Sequence, residues 1–312
     1  MKVIVVHGGA GAWPDDKLGK ALDGLKEALK AGFSVLESGG RALDAVEEAV
    51  ANMEDNEVFN AGTGSALNLA GDVEAEASIM DGSSLAAGAV ALVRNVKNPV
   101  RLARLVMEKT DHVLLVGQTA EKIAEAFGLE KAELKTKSRH EAWEKALAKL
   151  KSGEAKYFKK LPGLLKELPG LGPPGTVGAL ALDDQGRLAA ATSTGGIMLK
   201  LPGRLGDTSQ IGAGTYADEC GACSATGIGE VAIRLGLARM ACLFMRLGLG
   251  AKKAAEACMD LVAGRFPWAP MGVITLDARG EAGAAHTAEK MPWGYISERT
   301  GGPRVFVRAP GQ

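Results

Sequence analysis

Residues 172–182 read GPPGTVGALAL, and the change of character inside this stretch constrains the fold more than any other feature. Upstream, residues 152–175 hold Pro162, Pro169, Pro173 and Pro174 among glycines and lysines, the composition of an exposed connector. Downstream, Val177, Ala179 and Ala181 alternate with Gly178, Leu180 and Leu182, which predicts a buried strand. Thr176 stands where connector meets strand. A threonine at a chain's N-terminus carries a hydroxyl nucleophile and an amine base in one residue. Using Thr176 in this way requires a cut at the Gly175–Thr176 bond. Glycine before the threonine lets the backbone bend and offers no side chain to block attack. The competing reading is a plain loop that ends in Gly-Thr before a strand.

The 312 residues are 46% hydrophobic, ample for a sizeable core. Lys plus Arg and Asp plus Glu number 37 each, so charge gives no case for nucleic acid or an acidic membrane. No apolar run reaches the roughly 18 residues of a membrane helix. The N-terminal MKVIVVHGG reads as a strand and turn, not a secretory signal. The four cysteines, at 220, 223, 242 and 258, form no spaced disulfide framework in so long a chain. A cytoplasmic protein is expected.

The periodicity alternates along the chain. Residues 3–7, 73–80 and 85–93 predict strands. Residues 17–31, 34–52, 98–109, 117–127 and 138–151 predict helices, as do 229–247 and 251–264. Two segments echo one another: GALALDDQGRLAAATST (178–194) and GVITLDARGEAGAAHTA (272–288) share an LD-x-x-G turn. Helices, strands, strands, helices suit two stacked sheets covered on their outer faces.

Other short runs surround Thr176 in sequence. They are HGGAG (7–11), FNAGTGSALN (59–68), IMDG (79–82), AAATSTGG (189–196), KLPGRLGD (200–207), GAGTYAD (212–218) and SATGIGE (224–230). On these motifs, from about residue 3 to about residue 295, the chain resembles the plant-type asparaginase and isoaspartyl peptidase family of N-terminal-nucleophile hydrolases. The resemblance implies an α+β fold, a four-layer αββα sandwich. It implies one domain over 1–312 that cleaves itself at Gly175–Thr176 into chains of 1–175 and 176–312, the first ending in the 152–175 connector.

The same resemblance assigns roles. Thr176 is the nucleophile, and Thr194, eighteen positions on, orients it. The Thr226 hydroxyl and the Gly227 N–H stabilise the oxyanion; Thr226 is also placed to cap the helix beginning near Gly229, and the two roles are compatible. Asn60 helps line the site. Arg204 and Asp207 clamp the α-carboxylate and α-ammonium of an amino acid, with Gly229 beside them. A guanidinium binds a carboxylate through two parallel hydrogen bonds; the alternative for this pair is a surface ion pair, worth little. The expected substrates are L-asparagine and β-aspartyl dipeptides. No cofactor is expected for catalysis. A structural sodium ion is implied on the backbone carbonyls of Met53, Glu54, Asn56, Phe59, Ala61 and Thr63. A homodimer of αβ units is implied as well.

Two further readings stay open. Glycosylasparaginases place an aspartate before the nucleophile where this chain has Gly175, and an amino-acid-binding protein on the same fold would not cleave itself. Two tempting motifs are set aside. HGGAG fails as a dinucleotide loop because Pro14 takes the third glycine position. Cys220-Gly-Ala-Cys223 lacks a second CxxC and a nearby histidine for zinc.

Overall fold

The computed structural model describes residues 1–151 and 176–309. The connector and Gly175 lie outside the described residues. The first segment runs β1 (Val3–His7), α1 (Asp15–Glu37), α2 (Ala42–Glu54), β2 (Ala75–Asp81), β3 (Ala87–Val93), α3 (Pro99–Lys109), β4 (Leu114–Val116), α4 (Gln118–Ala126) and α5 (Lys137–Lys151). The second runs β5 (Val177–Leu182), β6 (Leu188–Thr194), β7 (Thr215–Ala217) and β8 (Gly221–Gly227). It continues through α6 (Gly229–Leu235), α7 (Leu237–Arg246), α8 (Ala251–Arg265), β9 (Met271–Asp277), β10 (Ala282–His286), β11 (Trp293–Ser297) and β12 (Arg304–Phe306).

The strands form two sheets, an eight-stranded one ordered β12-β11-β1-β5-β6-β2-β3-β4 and a four-stranded one ordered β10-β9-β8-β7. Strand β5 pairs antiparallel with both β1 and β6, so the strand that follows the connector sits mid-sheet. Its alternation sets two surfaces. Val177, Ala179 and Ala181 join Ile4, Val6, Leu25, Leu29, Val46 and Val50 in the core beneath α1 and α2. Leu180 and Leu182 point the other way and pack with Val3, Val5, Ile274 and Leu276. A third core, with Val231, Leu237, Ala241 and Val262, lies under α6 to α8 on the small sheet. By parity, Thr176 and Gly178 share the face of Leu180, and Thr194 and Thr192 share the face of Ala190, which belongs to the same core. That face meets the small sheet, because β5 and β6 lie against β8.

The echoing segments are equivalent hairpins, one per sheet. Asp183 accepts from the N–H groups of Gln185 and Arg187, with Gly186 at φ 76°. Asp277 accepts from those of Arg279 and Glu281, with Gly280 at φ 80°. Each aspartate thus builds its turn from its own following amides.

Two helix boundaries differ from the periodic pattern. Helix α1 runs on to Glu37 instead of breaking after residue 31, and Gly39, at φ 83°, makes the turn into α2. Gly32 is no breaker: a Cβ there would stand 2.7 Å from the Ala45 carbonyl, so it marks the close approach of α1 and α2. The expected 229–247 helix divides into α6 and α7 at Gly236, which adopts the left-handed conformation at φ 58°.

Candidate active site

Thr176 immediately precedes β5, with only 4% of its surface exposed. Its hydroxyl donates to Thr194 Oγ1 at 3.3 Å, and Thr194 Oγ1 also accepts the Gly196 N–H at 2.9 Å. Register explains the meeting. Val177 pairs with Ser193 across β5 and β6, so the residues just outside that pair face each other on the same side. Asn60 braces the turn that follows Thr194. Its Nδ2 donates to the Gly196 carbonyl at 2.7 Å, and its Oδ1 accepts the Ala66 N–H at 2.6 Å. The chain therefore fixes both hydroxyls from behind.

Thr226 does not cap the following helix. The N-cap of α6 is Ile228, and it has no side-chain capping bond. The Thr226 hydroxyl instead accepts the Ala10 N–H at 3.1 Å. An oxygen that already accepts from a backbone amide keeps its own proton for a second partner. Gly227 has φ 126° and lies against the Pro270 carbonyl, a place no side chain fits.

Arg204 and Asp207 come together as expected, and Gly229 lies between them. A Cβ on Gly229 would stand 2.8 Å from Arg204 Nη2 and 2.9 Å from Asp207 Oδ1. Asp207 is buried, and its Oδ2 has no hydrogen-bond partner among the described residues. Burial raises the carboxyl pKa to about 7, against the opposing pull of the Arg204 charge. A buried, unpartnered carboxylate oxygen is expensive, and it suits a cationic ligand group.

Sequence reasoning missed the groups that hold this pair. Arg204 donates through Nε and Nη2 to the two oxygens of Glu230, each at 2.9 Å. Glu76 accepts the Gly206 N–H at 2.9 Å and the Ser209 hydroxyl at 2.9 Å. The fully buried Lys200 ammonium lies 3.6 Å from Glu76 Oε1 and donates to the Glu74 carbonyl at 2.6 Å. Burial lowers the Lys200 pKa, with Glu76 pulling it back up. Glu230 and Lys200 were visible as the ends of two motifs, SATGIGE and KLPGRLGD. Glu76 belongs to no motif.

The loop after α2 gathers carbonyls. Glu54 O accepts from Thr63 N at 2.7 Å, Met53 O from Asn56 N at 3.3 Å, and Asn56 O from Phe59 N at 3.1 Å. A Cβ on Gly64 would stand 2.7 Å from the Glu57 carbonyl and 2.8 Å from that of Phe59, so only glycine leaves this cradle open. Arg139 on α5 donates to the Phe59 carbonyl at 2.7 Å. Elsewhere, Cys223, Cys242 and Cys258 lie in the core under α6 to α8, where burial raises their thiol pKa values.

With this geometry in hand, comparison with known proteins places the chain. A family model described as Asparaginase matches residues 1–304. The plant-type L-asparaginases of Pyrococcus abyssi and Thermococcus kodakarensis are each 48% identical to it, over 98% of this chain and 100% of their own lengths. The isoaspartyl peptidase/L-asparaginase of Mus musculus is 43% identical, over 94% of this chain and 87% of its own. A chain matched almost from end to end, with both threonines and the Arg204–Asp207 pair brought together, belongs to the asparaginase family.

Proposed function

We propose that this chain is a self-processing amidohydrolase acting on L-asparagine, on β-aspartyl dipeptides, or on both. The names of its relatives support that substrate class. The observation that carries the mechanism is the buried pair of hydroxyls, Thr176 donating to Thr194 at 3.3 Å where β5 begins.

Processing comes first. The Thr176 hydroxyl attacks the Gly175 carbonyl, the amide becomes an ester, and water hydrolyses the ester. This frees the Thr176 amine. In turnover, that amine takes the hydroxyl proton as Oγ1 attacks the side-chain amide carbon of the substrate. Thr226 and the Gly227 N–H face the developing oxyanion; losing one such donor costs about 10²–10³ in rate. The proton passes to the departing nitrogen, which leaves as ammonia or as the amine of the next residue. Water then attacks the ester and aspartate leaves. Arg204 receives the α-carboxylate and Asp207 the α-ammonium.

The rest of the reading follows the family. Contacts of α1 to α3 with the large sheet, and of α7 and α8 with the small one, support an αββα layering in a single domain. Carbonyls of Met53, Glu54, Asn56, Phe59, Ala61 and Thr63 would hold a sodium ion, the hard oxygen donors such a cation takes. That ion would stiffen the loop carrying Asn60 and enter no step of the reaction. Two copies pair as a homodimer.

One sample tests the core of this. Purified protein is incubated, its intact mass followed, and ammonia release from L-asparagine measured alongside. Two fragments with activity support the reading. A single uncleaved chain that binds asparagine and releases no ammonia replaces it with a binding protein.

A further inference from the structure

His7 ends β1 and is completely buried. In the sheet it pairs with Gly178, two residues after Thr176. Its ring lies over that glycine. A Cβ on Gly178 would stand 2.5 Å from His7 Nε2 and overlap the Ser224 hydroxyl. Gly178 is therefore the space in which His7 and Ser224 meet. His7 Nε2 and Ser224 Oγ are 2.9 Å apart.

The contact does not stop there. Ser224 Oγ lies 2.8 Å from Thr192 Oγ1. Thr215 donates to Thr192 at 2.5 Å, and Ser78 donates to Thr215 at 2.8 Å. Ser78 also reaches the Thr208 carbonyl at 2.6 Å, beside Asp207. Four buried hydroxyls thus connect the residue beside the nucleophile to the loop of the substrate clamp.

Each hydroxyl has one proton to give. Thr215 spends its proton on Thr192, and Ser78 shares its own between Thr215 and the Thr208 carbonyl. Thr192 has two acceptors within reach, Ser224 Oγ at 2.8 Å and the Gly214 carbonyl at 3.5 Å; the shorter contact takes its proton, which leaves the Ser224 proton for His7 Nε2. A neutral ring that accepts at Nε2 carries its proton on Nδ1. Burial keeps the ring neutral, driving its pKa down to about 3, against a smaller upward pull from the Thr176 backbone. Nδ1 is buried and has no hydrogen-bond partner among the described residues; with Nε2 on Ser224, it is the ring nitrogen left for the Thr176 backbone, which lies close enough to act on the ring.

We propose that His7 is a positioning residue for Thr176, presenting an Nδ1–H donor to its backbone in a tautomer fixed by Ser224 and the hydroxyl chain behind it. The proposal rests on the reading of Thr176 as nucleophile. His7 does not touch the reacting atoms. It fixes where β5 starts, and hence where Oγ1 and the amine of Thr176 lie. Misplacement of such groups by about 1 Å costs up to about 100-fold in rate.

Two substitutions separate this role from packing. In His7→Asn the side-chain amide puts a donor near the Nδ1 position; in His7→Gln it reaches the Nε2 position and leaves Nδ1 empty. His7→Asn should self-cleave and turn over L-asparagine within a few-fold of the parent. His7→Gln should lose about 10-fold to 100-fold in kcat or in the rate of self-cleavage, with KM for L-asparagine kept within about threefold. Equal rates for the Gln variant and the parent overturn the proposal, as does a Gln variant that outperforms the Asn variant. Long-range ¹H–¹⁵N spectra of the parent protein add a readout independent of turnover. They should show His7 neutral with its proton on Nδ1, and Ser224→Ala should release that tautomer. A proton found on Nε2 in the parent also overturns it. Thr176→Ala runs as the control: activity there sinks the nucleophile itself, whereas an inactive Thr176→Ala beside an unaffected His7→Gln sinks only the positioning role.

Discussion

Arg204 uses one edge of its guanidinium, Nε and Nη2, to donate to both oxygens of Glu230 at 2.9 Å. Guanidinium has a second edge, formed by Nη1 and Nη2, and Nη2 faces the space left open by Gly229. A substrate carboxylate can therefore bind while Glu230 stays in place. Burial works against the Glu230 charge, but its bonds to Arg204 hold its pKa below the usual carboxylate value. Glu230 orients the arginine instead of competing for it. Arg204→Ala should raise KM for L-asparagine by about 100-fold, from the loss of a charged hydrogen-bonded pair. Self-cleavage should survive, because the connector carries no free α-carboxylate. Glu230→Gln should raise KM more modestly; a lower KM in that variant would show that Glu230 competes with substrate.

Asp207 makes binding depend on pH. Its folded pKa is raised to about 7 by burial, above the ordinary 3.8. Below about pH 7 the carboxyl is protonated and cannot pair with an α-ammonium. The affinity of the product L-aspartate should fall roughly tenfold per pH unit below that point and level off above it. The sign for stability is the opposite. The ligand-free fold holds a proton that the unfolded chain has released between about pH 4 and 7, so this group subtracts stability as pH rises through that window. Calorimetry of L-aspartate binding at pH 6 and pH 8 checks the first part. Proton release on binding should be visible at pH 6 and small at pH 8, and an affinity that is flat across this range would remove Asp207 from ammonium binding.

Gly229→Ala isolates the gap between Arg204 and Asp207. The new methyl would enter at 2.8–2.9 Å from both groups, filling the space between them. Backbone strain does not arise, since alanine is a better helix former than glycine and the site is the first residue of α6. KM should rise at least tenfold while self-cleavage continues and Tm changes by only a few degrees. Unchanged kinetics would mean that no ligand occupies this gap.

The parts legible in the sequence are those whose signal is local. The strand after the connector, the two LD-x-x-G hairpins and the Arg204–Asp207 spacing each lie within a few residues of one another. Strand β8 was not legible: GACSATG holds a single β-branched residue, Thr226, and no aromatic, and its small side chains suit burial against β5 and β6. Its strand character comes from what covers it. His7 and Ser224 are 217 positions apart, and only the pairing of β1 with β5, packed against β8, makes them neighbours. Glu76 was invisible for the same reason, since it reaches its loop from the next strand over. The HGGAG motif was legible as a motif, yet its chemistry was not. Its first residue pairs with Gly178, two positions from Thr176, and its Ala10 amide binds Thr226.

The amine of Thr176 gives the most demanding test. If self-cleavage occurs, fragments of about 18 and about 14 kDa should appear from the 32.2 kDa chain, and the smaller should begin Thr-Val-Gly-Ala-Leu. The cut does two things at once: it removes the connector from the nucleophile, and it frees the base. Expressing residues 1–175 and 176–312 as two separate chains, with one extra residue left ahead of Thr176, separates them. The connector is already severed, and the hydroxyl still meets Thr194. The amine, however, is held in a peptide bond whose nitrogen has no basic lone pair. A folded complex should form, bind L-aspartate with the parent's affinity and release no ammonia from L-asparagine. Trimming the extra residue with an aminopeptidase should restore turnover on the same sample. The restored kcat, measured with L-asparagine saturating so that Asp207 is already engaged, should rise through one ionisation near or below the 7.7–8.0 of an ordinary α-amine, since only the neutral amine accepts the hydroxyl proton. Full activity before trimming would show that another group is the base, and the N-terminal nucleophile would then be wrong at its central step.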